Sequence, residues 1–190
     1  MDATPSSTEP AACKYTVRPR TGKELRLFAA SGVTAVALLA ADQFTKIAAE
    51  RLLKGRPPVV VIPDFFSFAF ITNKGAAWGI FHGYAVLLLA VAAVVAVLAV
   101  WNFRRLTEGF AERYWALSII LSGVIGNAID RLWRGEVVDF LDFQFGSWHF
   151  PTFNVADCAI TIGVGIYIIS NLLRGSKKEP ADDASGKKIS

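Results

Sequence analysis

The stretch 126–157, GNAIDRLWRGEVVDFLDFQFGSWHFPTFNVAD, leaves one apolar segment and enters the next with carboxylates at both junctions. Its central part, EVVDFLDFQF at 136–145, is rich in β-branched and aromatic residues, which favour an extended strand. Side chains alternate between the two faces of a strand, so Asp139 is expected to share a face with Leu141. Asp142 is expected to lie on the opposite face. The two aspartates are therefore predicted to have different roles.

The chain around this stretch has the composition of a membrane protein. Of its 190 residues, 53% are hydrophobic and 19% are charged, and the mean hydropathy is +0.41. These values are more typical of lipid-embedded than of soluble proteins. Roughly 20 helical residues cross a hydrocarbon core about 30 Å thick. The apolar segments thus predict one domain over 25–173, with four transmembrane helices at about 25–47, 84–101, 114–131 and 155–173. The outer segments are 48–83 and 132–154, and the tails are 1–24, expected to be flexible, and 174–190, which is charged.

The basic residues predict the orientation of these helices. Most of the 20 Lys and Arg residues lie in the two tails and in the short connection between the second and third helices. Such an excess is typical of the cytoplasmic side of a membrane protein. Both termini are therefore predicted to be cytoplasmic, and the outer segments to face the opposite side. Because the net charge of +4 is not gathered into one patch, membrane lipids are favoured as partners over nucleic acid.

The first outer segment is predicted to contain strands. Its sequence RPP at 56–58 interrupts the helix, and VVVI at 59–62 and FFSFAFIT at 65–72 follow. In an extended chain Phe66, Phe68 and Phe70 share one face, which is too apolar for an open aqueous loop. We expect a small sheet at the membrane surface. The alternative is a loop whose aromatic residues anchor it at the interface.

Cysteine and histidine do not point to a metal site or a disulfide framework. Cys13 and Cys158 lie in very different contexts, and neither has a second Cys or a His at the spacing of metal ligands. His82 and His149 are isolated in the sequence, which favours ordinary polar or interfacial roles. No cofactor is predicted.

Polar side chains recur at the outer ends of the predicted helices. Three pairs have a spacing of three or four residues, which places both members on one helix face: Asp42 with Lys46, Asn127 with Asp130, and Asn154 with Asp157. A charged side chain at membrane depth costs at least about 2.5 to 3.5 kcal/mol, so repeated carboxylates there need a reason. For Asp42 and Asp130 we favour a supporting role, in ion pairs such as Asp42 with Lys46 or Asp130 with Arg131.

Asp139 and Asp157 differ from these because neither has a basic residue at helical or strand-neighbour spacing. If the outer strand folds back over the start of the fourth helix, the two carboxyl groups meet. Two such groups at close range do not both ionise readily, so one keeps a proton and the pair can activate water for peptide hydrolysis. From spacing alone, proton or ion conduction by the same carboxylates ranks above this chemistry. An assembly subunit with structural ion pairs is a third alternative.

Five short motifs, in this order, resemble those of the bacterial lipoprotein signal peptidases, also called signal peptidase II or prolipoprotein signal peptidase. They are DQFTK at 42–46, NKGAAWG at 73–79, GNAIDR at 126–131, VVDF at 137–140 and FNVAD at 153–157. Five motifs in a fixed order are far more specific than any one of them. The resemblance covers roughly 25–173 and leaves out both tails.

The resemblance implies an aspartic endopeptidase of the bacterial inner membrane, with four helices and a small outward-facing β-sheet. Its expected substrates are prolipoproteins, cleaved just before a cysteine that carries diacylglycerol, and the cyclic lipopeptide globomycin is an expected inhibitor at the same site. Asp139 and Asp157 match the catalytic pair. The positions expected to bind substrate or support the pair are Asp42, Lys46, Asn73, Gly75, Trp78, Asn127, Asp130, Arg131 and Asn154. Cys158 stands where the family commonly has serine.

Overall fold

The computed structural model describes residues 21–75 and 83–175 of the chain. In these ranges the elements are, in order, α1 (Gly22–Leu53), β1 (Val59–Ile62), β2 (Phe66–Asn73), α2 (Ala85–Trp101), α3 (Phe103–Thr107), α4 (Ala111–Trp133), β3 (Val137–Phe145), β4 (Trp148–His149) and α5 (Val155–Gly175). The helices carry the apolar segments of the sequence. The strands come from the two outer segments.

Helix α1 is longer than the membrane span predicted for it. Its first turn is closed by a capping box, in which the Thr21 hydroxyl accepts from the Glu24 amide and the Glu24 carboxylate accepts from the Thr21 amide. The tail boundary predicted at residue 24 therefore falls inside the helix. The 32 residues of α1 extend about 48 Å at about 1.5 Å per residue, against a hydrocarbon core of about 30 Å. The last turns of α1 consequently reach past the core to the sheet.

Helices α1, α4 and α5 are long and apolar enough to cross a membrane. Helix α2 has 17 residues, all apolar, and none of them is buried against the described part of the protein. Its length of about 25 Å lies at the short end of the range for a membrane-spanning helix. The predicted fold class, a helical membrane protein with a small β-sheet, is confirmed.

Helices α4 and α5 approach each other closely through glycine. A Cβ atom added at Gly123 would lie 2.3 Å from the carbonyl oxygen of Ala156, and one added at Gly126 would lie 2.5 Å from Oδ2 of Asp42. Only glycine fits at either position without displacement of a neighbour. These contacts fix the first turn of α5 against the middle of α4 and the side of α1.

The strands form one antiparallel sheet in the order β1-β2-β3-β4. A β-bulge interrupts β2: Phe68 lies opposite Leu141 and Ile71 lies opposite Asp139, so β2 has one residue more than β3 between these pairs. Directly opposed residues share a face of the sheet. Asn73, opposite Val137, is therefore on the same face as Asp139, which we call the site face.

The expectation that Phe66, Phe68 and Phe70 share one face is wrong because of this bulge. Phe66 and Phe68 lie on the site face, opposite Phe143 and Leu141. Phe70 packs against the buried cluster at the end of α1, which Phe68 also contacts, and Nζ of Lys54 lies 5.6 Å from the Phe70 ring centroid.

The end of α1 supports the sheet from the side opposite to the site face. Ala49 and Leu53 of α1 form a buried cluster with Val138 and Phe140 of β3. Because successive side chains of β3 alternate, this packing presses one face of the strand against α1 and holds Asp139 on the other.

Candidate active site

The first turn of α5 is closed by a reciprocal pair of hydrogen bonds that includes one of the predicted catalytic residues. The Asp157 amide donates to Oδ1 of Asn154 at 3.0 Å, and the Asn154 amide donates to Oδ2 of Asp157 at 3.2 Å. This is the geometry of a capping box, with Asn154 before the helix and Asp157 at its third position. The backbone therefore fixes the orientation of the Asp157 carboxylate.

Asn154 also binds the other predicted catalytic residue. Its Nδ2 donates to Oδ1 of Asp139 at 2.7 Å, while Nδ2 of Asn73 donates to Oδ2 of Asp139 at 3.2 Å. Nδ2 of Asn127 donates to Oδ1 of Asp157 at 2.8 Å. The two carboxyl groups thus meet at one asparagine, and each is held by a second.

Asp139 lies in an environment that favours its neutral form. Its exposed fraction is 3%, and burial raises the pKa of its carboxyl group, with the charge of Asp157 as the next cause, to about 7. The hydrogen bonds from Asn154 and Asn73 and the charge of Lys46 act in the opposite direction, but they do not cancel the first two effects. Asp139 therefore keeps a proton under conditions in which an ordinary aspartate is ionised.

Both carboxyl groups open into a cavity of about 570 Å³. Asn73, Asn127 and Arg131 lie on its polar side. Its remaining walls come from β3, from the segment before α5 and from α5 itself: Val137, Phe150, Pro151, Thr152, Phe153, Cys158, Ile160, Thr161 and Ile162. The cavity is large enough for an extended peptide segment or an acyl chain.

A buried ion cluster lies behind the pair. Lys46 is fully buried, and its Nζ lies 2.9 Å from Asp42 Oδ2, 2.9 Å from Asp130 Oδ2 and 2.9 Å from Oδ1 of Asn127. Three acceptors match the three donors of an ammonium group, so the buried charge is fully coordinated. Since Asn127 also donates to Asp157, Lys46 is connected to the catalytic pair through a single side chain, that of Asn127.

Asp42 and Asp130 each fix one further element. Oδ1 of Asp42 accepts from the Ala156 amide at 2.8 Å, at the amino end of α5, where a carboxylate is favoured by the helix dipole. Oδ2 of Asp130 accepts from the Val138 amide at 3.3 Å, next to Asp139. The supporting role of the two aspartates stays a prediction, and these contacts are the observations in its favour.

The arginine that pairs with Asp130 is not the one expected. Nη1 of Arg134, one helical turn later, lies 2.6 Å from Oδ1 of Asp130. Arg131 instead donates to the carbonyl oxygens of Gly75 at 2.9 Å and Asn127 at 3.2 Å, and its buried Nε has no hydrogen-bond partner among the described residues. Arg131 therefore ties the end of β2 to α4 at the edge of the cavity.

The structure brings together Asp42, Lys46, Asn73, Gly75, Asn127, Asp130, Arg131, Asp139, Asn154 and Asp157. Trp78 lies outside the described residues. Asp142 is on the opposite face of β3, where it accepts from the Ser67 hydroxyl at 3.0 Å, so it is separated from the pair as the strand period predicts.

Gln43 and Arg134 belong to the supporting network but were not predicted as site residues. Nε2 of Gln43 lies 3.1 Å from Asp42 Oδ2 and 3.3 Å from Asp130 Oδ1, between the two carboxylates that bind Lys46. Its place beside Asp42 in the first motif is the signal that marks it. Arg134 lies four residues after Asp130, the same spacing that predicts the ion pair of Asp42 with Lys46, so the sequence could have predicted this ion pair too.

Sequence comparisons show the family to which the chain belongs. The family model for signal peptidase (SPase) II matches residues 34–173. The lipoprotein signal peptidase of Brevibacillus brevis is 42% identical over 143 residues, which cover 75% of this chain and 95% of the relative. That of Syntrophotalea carbinolica is 39% identical over 148 residues, which cover 76% and 92% of the two chains.

Solved structures show the same fold. One, described as a bacterial membrane enzyme determined by the in meso method at 2.3 Å, matches with a TM-score of 0.74 and 34% identity, covering 82% of this chain and 95% of that one. A second, of the same description at 1.9 Å, matches with a TM-score of 0.68 and 36% identity, covering 76% and 93%. The resemblance found in the motifs is confirmed, and the chain belongs to the signal peptidase II family.

Proposed function

We propose that the protein is an aspartic endopeptidase that removes the signal peptide from prolipoproteins. The bond cleaved is the one before a diacylglyceryl-modified cysteine. The observation that carries this proposal is the junction at Asn154, which holds Asp139 and Asp157 against one side chain in a cavity at the outer end of the helices. The coarser activity, cleavage of lipoprotein signal peptides, is the one named for its relatives.

In this mechanism the two aspartates divide acid and base work. Burial and the neighbouring charge of Asp157 keep a proton on Asp139, which donates a hydrogen bond to the scissile carbonyl oxygen and transfers that proton to it as water attacks. Asp157 takes a proton from a water molecule as the water oxygen attacks the carbonyl carbon. The resulting diol collapses when Asp157 gives that proton to the leaving amine and the C–N bond breaks. Asp139 recovers its proton from the diol, so the pair returns to its starting state.

The substrate is proposed to reach the cavity from the membrane. A diacylated cysteine and an apolar signal helix both reside in the bilayer. One wall of the cavity is formed by α5, a helix long and apolar enough to cross the bilayer. Asn73, Gly75 and Arg131 are the candidates for holding the peptide backbone, since Asn73 and Arg131 line the cavity and Arg131 binds the Gly75 carbonyl oxygen. Trp78, in the same motif, is a further candidate.

We place the protein in the bacterial inner membrane, with both termini cytoplasmic and the site at the outer face. The excess of basic residues in the tails and in the connection between α2 and α4 supports this orientation.

The direct test is cleavage by the purified protein. A diacylated prolipoprotein incubated with the detergent-purified protein should lose its signal peptide, seen as a mobility shift, and globomycin should block the reaction. The same prolipoprotein without diacylglycerol is the matched control and should stay intact. No cleavage of the diacylated form by a folded protein would contradict the proposal.

A small proton-coupled transporter that uses the same carboxylates is the alternative. Lys46, Asp42 and Asp130 lie at one end of the bundle, linked to the pair through Asn127 and Asn154. A second polar cluster, around Arg113, Glu112 and Ser170, lies at the other end. A transport path needs such groups at the midplane as well, so this distribution favours the peptidase. Proton uptake by protein-containing vesicles under a pH gradient distinguishes the two.

A further inference from the structure

Helices α1 and α4 are joined at one end of the bundle and held apart at the other. The ion pair of Lys46 with Asp130 draws them together at the end nearest the sheet. At the opposite end the Phe103 ring lies between them, with its centroid 5.4 Å from that of Phe28 in α1 and 5.6 Å from that of Tyr114 in α4. A groove is left between the two helices over the half of the bundle next to α3.

This groove encloses about 330 Å³ and is lined mainly by apolar side chains. Its α1 wall runs from Phe28 to Leu39, a distance of about 16 Å at about 1.5 Å per helical residue. Leu121 and Ile125 of α4 belong to the facing wall. Phe28 and Ile125 keep exposed fractions of 41% and 40%, so the groove opens to the surface of the bundle.

The size of the groove decides what kind of molecule it can hold. A helix with its side chains is about 10 to 12 Å across, so a length of about 16 Å occupies roughly 1,300 Å³, about four times the volume of the groove. A single acyl chain is narrow enough to enter. Because lipid tails are as apolar as the Leu and Ile side chains of the walls, the chain alone gives little preference for one lipid over another. Selectivity has to come from the headgroup.

Two arginines follow directly on a residue that lines the groove. Phe103 is that residue, and Arg104 and Arg105 are exposed on the same short helix, α3. Oε2 of Glu108, the acidic residue that ends this helix, lies 3.0 Å from Nη1 of Arg113 and is neutralised there. Guanidinium groups bind phosphate through paired hydrogen bonds, and long Arg side chains reach the headgroup level from an apolar edge. This end of the groove therefore matches the charge of an anionic headgroup.

We propose that the groove between α1 and α4 binds one acyl chain of an anionic phospholipid, whose phosphate headgroup is held by Arg104 and Arg105. The lipid fills the space beside Phe103 and stabilises the bundle at the end away from Lys46. The inference does not rest on the proposed reaction or orientation. Among the described residues, the groove and the catalytic cavity share no lining side chain.

The test is lipid binding by the full-length protein after delipidation in detergent. Phosphatidylglycerol should raise the thermal unfolding midpoint by about 3 to 6 °C, because a ligand that binds only the folded state stabilises it. Phosphatidylcholine with the same chains should raise the midpoint by less than about 1 °C, because its headgroup carries no net charge. Native mass spectrometry should show one retained phosphatidylglycerol per chain. Equal shifts with the two lipids would overturn the proposal.

Gly32→Leu tests the groove itself. A Cβ atom added at Gly32, which lines the groove, meets nothing within 4 Å, so the new side chain enters the groove without displacing a neighbour. Since Leu also favours a helix over Gly, the variant should unfold at least as late as the wild type, yet lose both the phosphatidylglycerol shift and the retained lipid. Gly165→Leu in α5, which is equally open but outside the groove, is the matched control and should keep both. A shift of wild-type size in Gly32→Leu would refute the proposal.

Arg104→Gln combined with Arg105→Gln tests the headgroup. The phosphatidylglycerol shift should fall to that of phosphatidylcholine, and an undiminished shift would contradict the assignment. Two results would give the groove to another occupant and overturn the proposal. A dimer in light scattering that Gly32→Leu dissociates would indicate a second copy of the chain, and a KM for prolipoprotein raised by Gly32→Leu but not by Gly165→Leu would indicate the signal helix.

Discussion

At the scale of single residues, the separation of Asp139 from Asp142 carries the most information. Both are aspartates on one strand, three residues apart, yet one is buried against Asn154 and the other binds Ser67 on the far face. The strand period alone predicts this difference. It does not predict the junction at Asn154, because the helix cap and the strand are brought together only by the tertiary fold.

Replacing either member of the pair should abolish the reaction. Asp139→Asn and Asp157→Asn keep the shape of the side chain but remove its ability to exchange a proton, so the rate of signal-peptide removal should fall at least about 10³-fold. Asp142→Asn is the control and should keep nearly the wild-type rate. The measurement is the initial rate of cleavage of diacylated prolipoprotein, with the thermal unfolding midpoint recorded for each variant. A near-normal rate in Asp139→Asn or Asp157→Asn would refute the shared catalytic role of the two residues.

The raised pKa of Asp139 predicts a specific pH dependence. The mechanism needs its protonated form, which is populated below a pKa of about 7 and lost above it. The second-order rate constant kcat/KM should therefore fall as the pH rises through about 7, by up to about tenfold per pH unit. A rate that stays level up to pH 9 would contradict the role of Asp139 as the acid. Unfolding midpoints at each pH separate titration from loss of structure.

At the scale of elements, the site depends on how closely α4, α5 and α1 approach one another. The apolar segments predict the helices well because membrane crossing requires long apolar runs. Their packing was not predicted, since the glycines that allow it are ordinary members of such runs. The short helix α3 and the bulge in β2 were also missed, because both follow from tertiary fit and leave no periodic signal.

Gly126→Ala tests the packing of these elements. The added Cβ would lie 2.5 Å from Oδ2 of Asp42, a carboxylate whose Oδ2 is bound by Lys46 and whose Oδ1 accepts from the Ala156 amide. We expect a loss of about 1 to 3 kcal/mol in unfolding free energy together with lower activity. Gly165→Ala, where nothing lies within 4 Å of the added atom, is the matched change in α5 and should be neutral or slightly stabilising. Equal thermal midpoints for the two variants would argue against this packing.

At the scale of the whole molecule, one buried lysine joins the membrane bundle to the sheet. Lys46 of α1 binds Asp130 of α4, and Asp130 accepts from the Val138 amide of β3. The sequence pairs Asp42 with Lys46 by spacing alone, but the longer connection depends on which helices are neighbours. Spacing within one segment of the chain cannot predict this connection between α1, α4 and β3. The family motifs include Lys46 and Asp130 but do not show which residues they contact.

Lys46→Met measures this connection. Removing the ammonium group leaves the carboxylates of Asp42 and Asp130 buried with one cation fewer, which should cost about 3 to 5 kcal/mol of unfolding free energy. Lys54→Met, on an exposed turn at the end of the same helix, should cost less than about 0.5 kcal/mol. Both are read from the unfolding of the detergent-purified protein. A Lys46 variant as stable as the Lys54 variant would show that the cluster is not what holds the sheet to the bundle.

The bulge in β2 also limits how this protein can change its length. One added or deleted residue between the bulge and Asn73 would reverse the parity of the strand and turn the Asn73 amide away from Asp139. A change of two residues would preserve that parity. The hydrogen bond from Asn73 to Asp139 therefore fixes the length of this part of the strand, because even a change of two residues would move Asn73 about 6.8 Å along it.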